Sequence, residues 1–131
     1  METKQGAVHV VRAGELTGNT AQTVGLPRMA AIWPTAAGGQ SDGVWAGRVT
    51  GEPGMDSGPH HHGKAETIGY CLSGSYTLLY GENYEQQVEL GPGDFIYVGA
   101  FVPHIERNLS PDVPVEFVTI RVPDNIVVNL A

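Results

Sequence analysis

Apolar residues in this chain come in short runs, and turn-forming residues interrupt them every few positions. Residues 28 to 33 and 44 to 50 read as strands. Between them, 35 to 43 is a loop of small and polar residues, and Glu52-Pro53-Gly54 is a turn. Beyond residue 54 the pattern sharpens. Residues 67 to 72 make a strand closed by Ser73-Gly74, and 76 to 80 pairs with 84 to 90 as a hairpin across Gly81-Glu82-Asn83. After a tight turn at 91 to 94, strands follow at 95 to 98, 105 to 108 and 115 to 122, the last two parted by Ser110-Pro111-Asp112. No stretch of about eleven residues or more carries a helical repeat. Short strands with turn chemistry between them predict an all-β fold, a sandwich or a barrel.

Composition agrees with this reading. The chain has 131 residues, enough for one domain with one core, and its 18 glycines and 9 prolines suit many turns. Residues 1 to 26 are polar and rich in Gly and Thr, with one apolar patch at Val8, Val10 and Val11. They are expected to form an edge strand, an arm over a partner subunit or a loose tail, ahead of a single barrel domain at 27 to 131. Open sheet edges need cover, so a homodimer is expected.

The formal net charge of −7, with seven basic residues scattered along the chain, argues against gripping nucleic-acid phosphates or an anionic membrane. Cys71 is the only cysteine, so no internal disulfide can form, and its apolar surroundings suggest a small buried hydrophobe. Met1-Glu2-Thr3-Lys4-Gln5 lacks the apolar stretch of a secretory leader, and no run approaches about 18 apolar residues. The expected location is the cytoplasm.

Four of the five histidines fall in two places, His60-His61-His62 and His104. On an extended strand, His60 and His62 share one face and His61 takes the other. Two imidazoles on one face can chelate a metal ion, and Glu66 follows four residues later, with Gly63 between to swing its carboxylate back. Imidazole nitrogen with carboxylate oxygen suits Fe(II), Mn, Co, Ni or Zn. The triplet by itself is equally a surface histidine patch. His104 adds to it: it lies about forty residues on, after a hairpin that could return the chain to the same wall.

These residues together resemble the cupin superfamily. Where its first motif has Gly, five residues, His-x-His, three or four residues, Glu, six residues and Gly, this chain has Gly54, five residues, His60-His61-His62, three residues, Glu66, then seven residues to Gly74. Where its second has Gly, five residues, Pro-x-Gly, two residues, His, three residues and Asn, this chain has Gly93, five residues, Gly99-Ala100-Phe101, two residues, His104, three residues and Asn108. The stretches 70 to 74 and 91 to 98 are similar to small bacterial single-domain cupins. The resemblance implies a jelly-roll-like barrel of two antiparallel sheets, with one divalent metal held inside by His60, His62, Glu66 and His104.

Three departures stand out. The extra residue before Gly74 requires a bulge or a shifted ligand register, in which His61 replaces a neighbour. Gly99 and Phe101 replace the Pro and Gly of the second motif, and Phe101 is placed to project over the pocket mouth. The family includes dioxygenases, isomerases, decarboxylases, lyases and polyketide cyclases, which implies a metal-dependent enzyme acting on a small organic molecule. Glu66 could leave the metal and act as a base, and Trp33, Trp45, Tyr70 and Phe101 could line the pocket. The alternative is a non-catalytic module that binds or senses a small molecule.

Overall fold

The computed structural model describes residues 8 to 131; Met1 to Gln5, read above for a leader, lie outside the described residues. The described residues contain ten strands: β1 (Arg28–Ile32), β2 (Trp45–Gly51), β3 (His60–His61), β4 (Glu66–Ser73), β5 (Tyr76–Tyr80), β6 (Gln86–Leu90), β7 (Phe95–Val98), β8 (His104–Arg107), β9 (Val115–Val122) and β10 (Val128–Asn129). They form two antiparallel five-stranded sheets, ordered β1-β2-β9-β4-β7 and β10-β3-β8-β5-β6. The all-β jelly-roll expectation holds. Among the described residues no helix is long and apolar enough to cross a membrane.

Strand alternation decides what fills the space between the sheets. On β9, Val115, Phe117, Thr119 and Arg121 are buried, while Ile120 and Val122 are exposed. The neighbours repeat this parity in register: Gly69 sits opposite Thr119, and Thr67 opposite Arg121. The inward side chains then change character along the barrel. Leu26, Val49, Met55, Cys71, Tyr76, Leu90, Val115 and Phe117 form an apolar core. Arg28, His60, His62, Thr67, His104, Glu106, Thr119 and Arg121 are also buried, but polar. Charged residues are almost never fully buried without partners, so this second group marks a site and not merely a core.

The extra residue before Gly74 appears as an irregularity in β4, where the register against β9 slips between Cys71 and Ser73. Gly74 follows with φ +75, and a Cβ there would come 2.4 Å from the Pro114 carbonyl oxygen, so only glycine fits this turn. The strand β10 was not visible in the sequence, because two residues carry no pattern. Between residues 8 and 26 the chain lies on its own barrel: Thr17 and Ala30 exchange backbone hydrogen bonds at the free edge of β1, at 3.0 and 2.7 Å. Val8 and Val10 remain exposed.

Burial separates residues of like chemistry, and unfolding in denaturant tests it. Phe117→Ala should cost about 3–5 kcal/mol as a fully packed aromatic, whereas Leu109→Ala, 72% exposed, should change stability by about 0.5 kcal/mol or less. Equal losses at both positions would contradict the inside–outside assignment.

Candidate metal centre

Three histidines reach the polar end of the barrel from two adjacent strands. On β3, His60 is buried and its Cα pairs with that of His104 on β8. His62 follows two residues after His60 and is buried with it. His61, between them, points the other way, half-buried with its ring 5.8 Å from that of Phe101. Alternation therefore holds across the triplet, and the register in which His61 replaces a neighbour is not the one adopted.

Each inward imidazole is oriented by the chain itself. His60 Nδ1 lies 3.0 Å from the Gly58 carbonyl oxygen, His104 Nδ1 2.9 Å from that of Val102, and His62 Nδ1 2.6 Å from that of Ile126. A carbonyl only accepts, so each Nδ1 carries the proton and each Nε2 keeps its lone pair. The Ile126 carbonyl stands just before β10, whose pairing with β3 brings it there. This is the support that metal-binding histidines ordinarily have, with one nitrogen held so that the other faces the ion.

The side chains converge. One ligand atom from each of His60, His62, His104 and Glu106 lies within 4.8 Å of all the others. Glu106 Oε1 is 3.4 Å from both His60 Nε2 and His104 Nε2, and His60 Nε2 is buried with no hydrogen-bond partner. Facing lone pairs with a carboxylate among them call for a cation, and three imidazoles with one carboxylate suit a divalent transition metal. Burial, with help from the Arg121 charge, pulls His62 down to about 2, so that ring is neutral.

Glu66 is the difference from the expected ligand set. It lies at the start of β4 with its side chain on the exposed face, accepting a 2.6 Å hydrogen bond from the Tyr97 hydroxyl. Gly63 turns the chain at φ +58, and the strand after it alternates so that Thr67 faces inward and Glu66 outward. On an unbroken strand Glu66, four residues after His62, would share its face; the turn closed by the Ala65 N–H on the His62 carbonyl breaks the strand, and the alternation restarts with Thr67 inward. The carboxylate comes instead from Glu106, which shares the inward face of β8 with His104. The pattern His104-Ile105-Glu106 carried that signal, at the same two-residue spacing as His60 and His62.

Two cavities meet at this cluster. A small one, about 20 Å³, is lined by polar groups including Thr67, Tyr76, Thr119, Glu106 and Arg121. A larger one, about 350 Å³ and mostly apolar, shares Leu78, Ile96, Val98 and His104 with it. The aromatic residues expected to line the pocket are elsewhere. Trp33 and Trp45 border a separate cleft of about 570 Å³ that touches none of the four clustered residues. Tyr70 packs against Phe95, their rings tilted by 53° with centroids 4.6 Å apart. Phe101 is exposed in the left-handed region at φ +59, where the family motif has glycine, and lies against His61.

The molecule is thus a double-sheet barrel with a buried histidine–carboxylate cluster at one end. The Cupin domain family model matches residues 47–121, and the chain belongs to that family. No curated protein matches it. Similar solved structures include the polyketide cyclase RemF from Streptomyces resistomycificus, at 20% identity over 95% of this chain and 87% of that one, with a TM-score of 0.73. KdgF from a Halomonas species matches at 19% identity, over 89% and 96% of the two chains, with a TM-score of 0.67. An oxalate oxidase matches at 18% identity, over 97% and 66%, with a TM-score of 0.71. At these identities the likeness establishes the fold.

Metal retention after dialysis separates the candidate ligands. His60→Ala, His62→Ala, His104→Ala and Glu106→Gln should each weaken binding by more than the roughly 10–100-fold typical of losing a supporting partner. His61→Ala and Glu66→Gln should keep the wild-type metal content. A Glu66→Gln protein that loses its metal while Glu106→Gln keeps it would reverse the assignment.

Proposed function

We propose that this protein is a metal-dependent enzyme acting on a small organic molecule. The observation that carries the reading is the convergence of three buried histidines and the Glu106 carboxylate beside an apolar cavity of about 350 Å³. A cavity of that size and lining suits a ring-sized substrate with one polar end. The polar end would sit toward His104, and the apolar body against Leu78, Ile96 and Val98. A bound divalent ion would supply Lewis-acid or redox chemistry there. The base role that the sequence suggested for Glu66 belongs in this reading to Glu106, whose buried carboxylate lines the small polar cavity next to the larger one. Cyclase and oxidase chemistry among the structural neighbours supports a carbonyl or enol substrate.

Purified protein should contain about one divalent ion per chain. Metal-loaded and chelator-stripped protein, offered phenols, β-dicarbonyls and 2-oxo acids, should differ: turnover by oxygen uptake or product mass should appear only in the loaded form. Tight ligand binding without turnover would favour a binding or sensing module.

We also propose a homodimer built on the outer face of the β1-to-β7 sheet. Ile68 is paired across the strands with both Tyr97 and Ile120, and Tyr70 with both Phe95 and Val118. Ile68, Phe95, Tyr97, Ile120 and Val122 are all exposed, so this is one contiguous apolar face. A second copy is the occupant this face suits, since an identical apolar patch is its own complement under two-fold symmetry. Light scattering at tens of micromolar should give twice the chain mass, and Ile120→Asp should give the monomer. A wild-type monomer at that concentration would reject the dimer.

A further inference from the structure

Two arginines lie buried behind the histidine cluster; Glu106 is the buried carboxylate near both, and neither arginine bonds to it. Arg121 is 5% exposed and Arg28 3%. Arg121 donates from Nε to the Thr67 hydroxyl at 3.0 Å, from Nη1 to Asn125 Oδ1 at 2.9 Å, and from Nη2 to His62 Nε2 at 3.0 Å. Arg28 donates to the same Asn125 oxygen at 2.9 Å and to the Thr23 hydroxyl at 2.6 Å. Its Nε is buried with no partner. Every one of these acceptors is neutral. Among the described residues Glu106 is the one buried carboxylate, and it lies against His60 and His104. Two like charges joined through one amide oxygen are an unfavourable burial unless a negative group completes them. Burial lowers Arg121 to about 9 and Arg28 to about 10, so both still carry their charge at neutral pH.

A metal ion would sharpen this imbalance. His62 Nε2 has a single lone pair, which Arg121 occupies here. An ion bound to His62 would take that lone pair and leave Arg121 Nη2 without an acceptor, beside two further positive charges. Arg121 lines the small polar cavity together with Glu106 and His104, and that cavity shares its apolar wall with the larger one.

We propose that the substrate carries a carboxylate, and that Arg121, backed by Arg28, receives it next to the metal-binding histidines. A guanidinium and a carboxylate match in geometry and charge, and the pairing is strongest in a desolvated site. The carboxylate restores the acceptor that metal binding removes from Arg121. It also fixes which end of the substrate faces the ion. The proposal rests on the metal-enzyme reading above.

Zinc-loaded protein with benzoate and with benzamide as probes tests it. The two rings have the same shape, and only benzoate is charged. Calorimetry should show benzoate binding at least about tenfold tighter than benzamide, a difference of about 1.4 kcal/mol. Arg121→Gln should erase that preference, and Arg28→Gln should reduce it. In nitrogen-labelled wild-type protein, benzoate but not benzamide should shift an arginine Nε–H resonance, a readout that needs no variant to fold. Equal binding of the two probes, or binding of neither, by a protein that holds its zinc overturns the carboxylate proposal and leaves the metal reading standing. A protein that holds no zinc overturns both.

Discussion

Three hydrogen bonds from histidine Nδ1 atoms to backbone carbonyls organise the functional end of this barrel. They fix the orientation of each ring and bring the three imidazoles together at the polar end of the barrel. Each carbonyl belongs to a different stretch of chain: Gly58 before β3, Val102 before β8, and Ile126 before β10. The cluster therefore exists only when the β3–β8 and β3–β10 pairings are both made. The short β10 strand holds the Ile126 carbonyl that orients His62, although it adds little to the sheet itself.

The barrel divides its interior by chemistry. Phe117, Val115, Cys71 and Tyr76 give one end a packed apolar core, and Tyr76 stacks on Phe117 with ring centroids 5.0 Å apart. Two residues farther along β9 at each step, Thr119 and then Arg121 replace apolar side chains, and the other end becomes polar. The apolar end stabilises the fold and lets the polar end carry groups that would destabilise it alone. Buried arginines, a buried carboxylate and three imidazoles in contact are tolerated because rigid strands fix every partner. The apolar cavity beside them shares Leu78, Ile96, Val98 and His104 with the small polar cavity that the charged groups line.

Several features of this arrangement were legible in the residues. The two-residue spacing of His60 and His62 put both inside, and the turn chemistry between short runs placed most of the strands. The bulge required before Gly74 is present, between Cys71 and Ser73. The carboxylate was harder. Motif spacing and strand parity both pointed to Glu66, but the turn at Gly63 interrupts the strand and resets the alternation, so that Thr67 faces inward. Glu66 ends on the outer face, bonded to Tyr97. Glu106 was hidden because an isolated acid two residues after a histidine is unremarkable until the inward face of that strand is known.

The sequence by itself determined the class of fold, the alternation that carries His60, His62 and His104 inward, and the demand for a bulge near residue 73. These follow from local chemistry: turn residues, strand period and the reach of a hairpin. Tertiary structure alone decided which carboxylate joins the histidines, how each imidazole is oriented, and that Arg28 and Arg121 meet at Asn125. Those are contacts between residues as far as 97 positions apart in the chain, as Arg28 and Asn125 are. No local pattern encodes them, because they depend on the register in which β9 lies between β2 and β4, and on the return of the last residues across β3.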